Sequence, residues 1–258
     1  MTLETQPYSP DRSLIAKVSR RMTQWHHAAP VTIETDRPLL SITFDDCPAN
    51  AAHLGADILD SANAKGCFYI ATDLIGQTNH MGRMVERHDV QALYLAGHEI
   101  GAHTHTHLDC RQARDEDVIA DIERNLSVLT DMCEGARIES FAYPFGETSY
   151  SLKTKLAKRF TNMRGVLAGT NAGKCDRAQL RAYELDQDEA THERAFEAME
   201  ELATTPGWMM LFTHDVSEAP SPYGIHPRLL VSILRRARRL GIQIVTPSRA
   251  VRELGLMA

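Results

Sequence analysis

Seven short apolar runs, separated by longer stretches, most of them of helical period, constrain this chain more than any other feature. They are Leu39 to Phe44, Cys67 to Ile70, Glu99 to Ala102, Ile138 to Ala142, Met163 to Leu167, Met209 to Thr213 and Ile242 to Val245. Between them the clearest helical stretches are Asp115 to Met132, Thr191 to Ala203 and Pro227 to Leu240. Such alternation predicts a mostly parallel sheet whose strands are joined by helices. No repeat, low-complexity tract or Gly/Ser/Pro-rich linker divides the chain, so one domain is expected. At 258 residues it can bury a sizeable core without disulfides or metal. In parallel β/α architectures, functional groups collect at the C-terminal ends of the strands. The polar residues just after each run are therefore the ones to read for chemistry.

Four clusters stand there. Asp45 and Asp46 follow the first run, and adjacent carboxylates at a strand end repel each other unless a cation or hydrogen bonds compensate. Alone, such a pair also reads as a turn or cap. The third run leads into Gly101-Ala-His-Thr-His-Thr-His-Leu-Asp109, where His103 and His107 are spaced to converge on one cation if the chain turns helically. Imidazole with carboxylate is ordinary ligation for zinc or another first-row divalent ion. Phe141-Ala-Tyr-Pro-Phe-Gly146 breaks a strand into a Pro/Gly loop able to aim a backbone N–H at a developing oxyanion. His214 follows Leu211-Phe212-Thr213, where a lone histidine also reads as a hydrogen-bonded structural residue.

Taken in order, these residues resemble the polysaccharide deacetylases of carbohydrate esterase family four, the NodB-homology domain, over roughly Arg37 to Val251. The motifs that carry the resemblance are Thr43-Phe44-Asp45-Asp46-Cys47-Pro48, His103-Thr104-His105-Thr106-His107, Pro144-Phe145-Gly146 and Leu211-Phe212-Thr213-His214. The resemblance implies an α/β fold, a distorted (β/α)7-type barrel in one domain. Residues 37–258 would form it, and residues 1–36 an extension with a short helix over 11–26, read from Leu14, Val18 and Met22. It further implies Asp46, His103 and His107 as ligands of Zn2+, or of Co2+ or Mn2+, with Asp45 as general base and His214 as general acid. The backbone N–H of Phe145 would hold the oxyanion, with Tyr143 and Leu211 beside the substrate.

Four positions depart from the family pattern. Cys47 replaces a glycine and is expected to pack as a small residue. Ala142 stands where many members carry an arginine that orients the catalytic Asp; Arg164 is the candidate substitute, with a structural salt bridge as the alternative. An Asp-Trp motif that supports the acid histidine is not recognisable, because Trp208 belongs to the next strand. His105 is weighed between a surface role and a contact with the ligands' surroundings or with substrate, and the remaining histidines are read as surface or helix-end residues.

The expected activity is removal of N-acetyl groups from N-acetylglucosamine-type units of a bacterial exopolysaccharide, of the holdfast type, or of its lipid-linked precursor. The partner is thus an acetylated polysaccharide or oligosaccharide. Hydrolysis of a non-sugar amide or cyclic imide, or an inactive sugar-binding domain, are the other readings. A formal charge of -6 with scattered basic residues argues against nucleic acid. No window approaches a transmembrane span. Five widely spaced cysteines without a Cys-x-x-Cys read as reduced thiols, and no secretory signal is recognisable, so a cytoplasmic enzyme is expected, working at the inner face of the membrane. A homo-oligomer remains open.

Overall fold

The computed structural model describes Thr23 and residues 26–256. In chain order the elements are β1 (Pro30–Ile33), β2 (Leu39–Asp45), α1 (Ala56–Ser61), β3 (Cys67–Ile70), β4 (Thr78–Asn79), β5 (Gly82–Arg83), α2 (Arg87–Leu95), β6 (Glu99–Ala102) and α3 (Asp115–Met132). Then follow β7 (Ser140–Ala142), α4 (Tyr150–Leu156), β8 (Asn162–Arg164), β9 (Gly173–Asp176), β10 (Tyr183–Glu184), α5 (Glu189–Thr204), β11 (Trp208–Thr213), α6 (Pro227–Arg239), β12 (Gln243–Ile244) and α7 (Pro247–Glu253).

All seven apolar runs contribute strands, and these are parallel, as the sequence led one to expect. The sheet runs β10-β11-β2-β3-β6-β7-β8, with β12 pairing the lower end of β2. Its seven-strand path curls, and its two edges approach through the segment ahead of β10. Arg164 of β8 bridges Leu180, and Gly165 N–H donates to the Leu180 carbonyl at 2.9 Å. The result is the distorted (β/α)7-type barrel.

Strand β2 is buried along its whole length, as expected for a parallel strand covered on both faces. Alternation divides its side chains. Leu40, Ile42 and Phe44, with Met209 and Leu211 of β11, join the main core under the helices. Leu39, Trp208, Met210 and Phe212 form a second cluster on the opposite face, inside the curl. Helix α3 follows its apolar period, burying Val118, Ile122, Leu126 and Leu129. Proline at the first turn of α6 and α7 has no N–H to leave unsatisfied and a φ already suited to a helix.

The boundary expected at residue 37 falls inside the folded body. β1 pairs antiparallel with β9, and the N–H groups of Ala28 and Ala29 donate to the Asp176 carboxylate. The expected helix over 11–26 lies almost wholly outside the described residues.

Candidate metal and catalytic site

The four clusters meet at one mouth of the barrel, because each follows the C-terminal end of a parallel strand. The backbone there is unusual. Among the described residues, Asp46, Cys47, Thr104, His107 and Phe145 have positive φ, between 54° and 65°, and only two other non-glycine residues do. Left-handed backbone costs a β-carbon-bearing residue free energy, and such residues cluster where the surrounding structure enforces a functional geometry. At Cys47, where the family motif has glycine, φ is 65° and the thiol is fully buried in the core. Burial pushes that thiol up, and the residue packs in the core as a small side chain.

Asp46, His103 and His107 converge: one donor atom from each lies within 4.8 Å of the others. Asp46 Oδ1 is 3.4 Å from His103 Nε2 and 3.2 Å from His107 Nε2, and it is buried without a hydrogen bond. His103 Nδ1 is 2.8 Å from the Ala142 carbonyl, which can only accept, so Nδ1 carries the proton and Nε2 presents a lone pair. A carboxylate and two imidazoles converging in this way can hold a divalent cation. Burial pushes the Asp46 carboxyl up, but His107 and His103 outweigh it and hold it well below the usual carboxylate range. Burial is also the largest influence on His107 and keeps its imidazole below the ordinary value. For His103 burial is opposed by Asp46 and Asp45, which raise it. A metal requires a carboxylate and neutral imidazoles, and the lowered Asp46 and His107 favour those forms.

Asp45 faces the inside of the curl. Arg164 Nη2 donates to both of its oxygens, each at 2.5 Å, across 119 residues of sequence. The guanidinium is fully buried between two rings, 4.6 Å from the centroid of Phe212 and 5.3 Å from that of Tyr69. Arg164 thus forms a buried ion pair with Asp45.

His214 stands at the end of β11, half-buried. Its Nδ1 lies 3.3 Å from the Tyr223 carbonyl, so a main-chain oxygen, not a carboxylate, orients the ring. The Tyr223 ring lies between those of His214 and His80, 5.6 Å from each. Phe145 packs edge-on against His107 at 4.5 Å.

Two expected substrate residues are not at the mouth with their side chains. Tyr143 is buried, and its hydroxyl donates to the Ala178 carbonyl at 3.0 Å, so the ring anchors the loop from behind. Leu211 packs in the main core and contributes only its carbonyl, which accepts from Thr43 Oγ1 at 2.9 Å. His105 is not a surface residue either. It is buried, with Nδ1 2.7 Å from Thr72 Oγ1. His98, also read as a surface residue, is buried against Phe68 and accepts from Gly66 N–H.

The sequence reading missed the groups that hold the histidine loop. Asn125 Oδ1 accepts from His103 N–H at 3.3 Å, while its Nδ2 donates to Ile70 O and Thr72 Oγ1. Asp121 accepts from the N–H groups of His105 and Thr106. Asn125 could have been found as a polar residue at a core position of an amphipathic helix.

The comparisons agree with this geometry. Residues 32–165, just over half of the chain, match the family model described as polysaccharide deacetylase. A chitin deacetylase of Arthroderma benhamiae is 23% identical over 119 residues, and chitin deacetylase 1 of Cryptococcus neoformans var. grubii is 24% identical over 112. These alignments cover 46% and 43% of this chain but only 31% and 22% of those proteins. Among solved structures, a family 4 acetyl xylan esterase from Clostridium thermocellum, in complex with a cobalt ion, superposes with a TM-score of 0.58. It is 22% identical, and the superposition covers 84% of this chain and 92% of the esterase. A family pseudoenzyme from Bacillus anthracis has a TM-score of 0.61 at 11% identity, covering 84% of this chain and 66% of its own. With the barrel, the ordered motifs and the matched family model in agreement, this chain belongs to the polysaccharide deacetylase family.

Proposed function

We propose that this chain is a divalent-metal-dependent hydrolase that removes acetyl groups from N-acetylglucosamine-type residues of a glycan. One observation carries the reading: a three-ligand metal cluster shares a barrel mouth with a carboxylate fixed by a buried arginine and a histidine oriented through Nδ1. What a divalent cation supplies when held by Asp46, His103 and His107 is Lewis acidity toward the acetamide and its attacking water. Asp45 removes the proton from that water. Arg164 keeps the Asp45 carboxylate aimed, since both of its oxygens are bound by one rigid cation. The oxyanion that develops at the acetyl carbonyl oxygen is assigned to the backbone N–H of Phe145, on the left-handed turn beside His107. His214, with Nδ1 engaged by the Tyr223 carbonyl, presents Nε2 to protonate the departing amine. The products are acetate and a free amino sugar.

A bacterial exopolysaccharide or its lipid-linked precursor is the glycan class to assay first. Ligands, base and acid are all carried by this chain, which supports catalysis over an inactive sugar-binding role. The test is metal analysis coupled to mass-spectrometric deacetylation of defined acetylated glucosamine oligomers, comparing wild type with Asp46→Ala. Absence of amine release with zinc, cobalt and manganese would refute the proposal.

A further inference from the structure

Next to the catalytic mouth lies a second concavity of about 450 Å³, within the roughly 300–1,000 Å³ range of small-molecule sites. Gly146 and Glu147 form part of its wall, so one loop separates it from the metal cluster: the preceding Phe145 touches His107. That partition is tightly built. Gly146 has a φ of 68°, and a β-carbon there would stand 2.3 Å from Val166.

The charges of this cavity do not balance. Its two carboxylates each have a cation already. Asp176 is bound by buried Lys153 at 2.7 Å, and Glu147 lies 3.9 Å from Arg111. Its two permanent cations have no carboxylate: neither Lys174 nor Arg181 forms an ion pair among the described residues. Among the described residues, the Arg181 side chain donates only through Nη1, to the Ala168 carbonyl at 3.2 Å. Its position is nonetheless fixed. The buried Asn171 side chain accepts from Arg181 N–H and donates to Arg181 C=O, and the absence of a side chain at Gly169 gives the arginine stem room. Two exposed cations without a carboxylate partner among the described residues thus line one cavity in a chain of net charge -6.

We propose that this cavity binds an anionic substituent of the glycan, a carboxylate or a phosphate, while a neighbouring N-acetylated sugar occupies the metal site. The inference rests on the deacetylase reading and narrows its substrate class to acidic glycans. Arg181 offers the planar donor fork that matches either anion, and Lys174 a point charge. The exposed apolar edges of Val166 and Leu167 give the sugar ring a lip to cross between the two sites.

The test compares three oligosaccharides: a neutral N-acetylglucosamine tetramer, a tetrasaccharide alternating N-acetylglucosamine with glucuronate, and the neutral tetramer carrying a terminal phosphate. For metal-loaded wild type, kcat/KM is expected to favour at least one anionic substrate, and which one distinguishes carboxylate from phosphate. In Lys174→Gln/Arg181→Gln the anionic-over-neutral ratio of kcat/KM should fall about tenfold, through KM, with partial recovery in Arg181→Lys. Calorimetric binding to the chelator-treated chain gives a readout independent of turnover. Affinity for the anionic tetrasaccharide should drop about tenfold in the double variant and fall with added salt in wild type. A wild type that prefers the neutral tetramer, or a ratio and affinity unchanged by the double variant, would overturn the inference. If charge-dependent binding persists without deacetylation of any oligomer, the deacetylase reading fails and the anion site stands.

Discussion

Replacing Arg164 with glutamine should destabilise the folded chain in a way that a second substitution, Asp45→Asn, partly reverses. Neither partner can turn to water: the arginine side chain is 0% exposed and that of Asp45 6%. Breaking a buried ion pair by removing one partner costs about 3–5 kcal/mol, because the remaining charge is left desolvated. Glutamine can return one hydrogen bond, to Asp45 or to the Gly165 carbonyl that Nη1 otherwise serves, so the lower half of that range applies. For a chain of this size about 3 kcal/mol lowers the melting temperature by roughly 6–12 °C. Asp45→Asn in the Arg164→Gln background removes the unpaired charge, and the cycle should show a coupling of about 2 kcal/mol. The assay is thermal unfolding of the four proteins after chelator treatment, so that metal binding does not add its own stabilisation. A melting temperature for Arg164→Gln within about 2 °C of wild type, or strict additivity in the double variant, would refute the account of this pair. The same variant should lose kcat/KM, with Arg164→Lys retaining part of it.

Three further outcomes are expected. His214→Ala should reduce kcat by about 10²–10⁴, the usual contribution of a positioned proton donor, with little change in melting temperature; an equal loss in both would mark it as structural. Chelation should abolish activity and lower the melting temperature, and readdition of the divalent ion at about 100 times its Kd should restore about 2.7 kcal/mol, measured as a melting shift that His103→Ala lacks. For Asp176, burial raises the carboxyl, but Lys153 and the N–H groups of Ala29 and Ala28 outweigh it and set it below the ordinary value. The stability this supplies is present above the ordinary carboxylate range and lost as pH falls through the lowered folded value, so wild-type melting should decline on acidification below about pH 4. Lys153→Met should cost about 3–5 kcal/mol at neutral pH and reverse the slope, stability then falling as pH rises; calorimetric melts across pH 3–8 read both.

Much of this molecule was written locally in its sequence. Runs of buried β-formers gave the strands Cys67–Ile70 and Glu99–Ala102 at their observed limits, and the apolar period gave α3 likewise. The short strands β4, β5, β9 and β10 were not legible, because two to four residues of mixed polarity carry no period to read. The site was legible as clusters at strand ends. Asp46, His103 and His107 do converge, since parallel strands deliver their C-terminal ends to one side of the sheet.

What only the tertiary structure decided was direction and distant pairing. Every residue of β11 is buried, so the strand shows no polar alternation to say which side chains face the mouth, and Leu211 turned out to face the helices. The Tyr143 ring likewise turned inward, to a carbonyl 35 residues away. Arg164 reaches Asp45 only because the sheet curls until β8 stands across from β2, and Lys153 meets Asp176 only once β9 has folded back along β1. Sequence pattern shows where apolar strands and helices run, since this depends on neighbours along the chain, although it missed buried polar residues such as His98 and His105. Which buried charge meets which depends on how the sheet closes, and that is a property of the whole packed barrel.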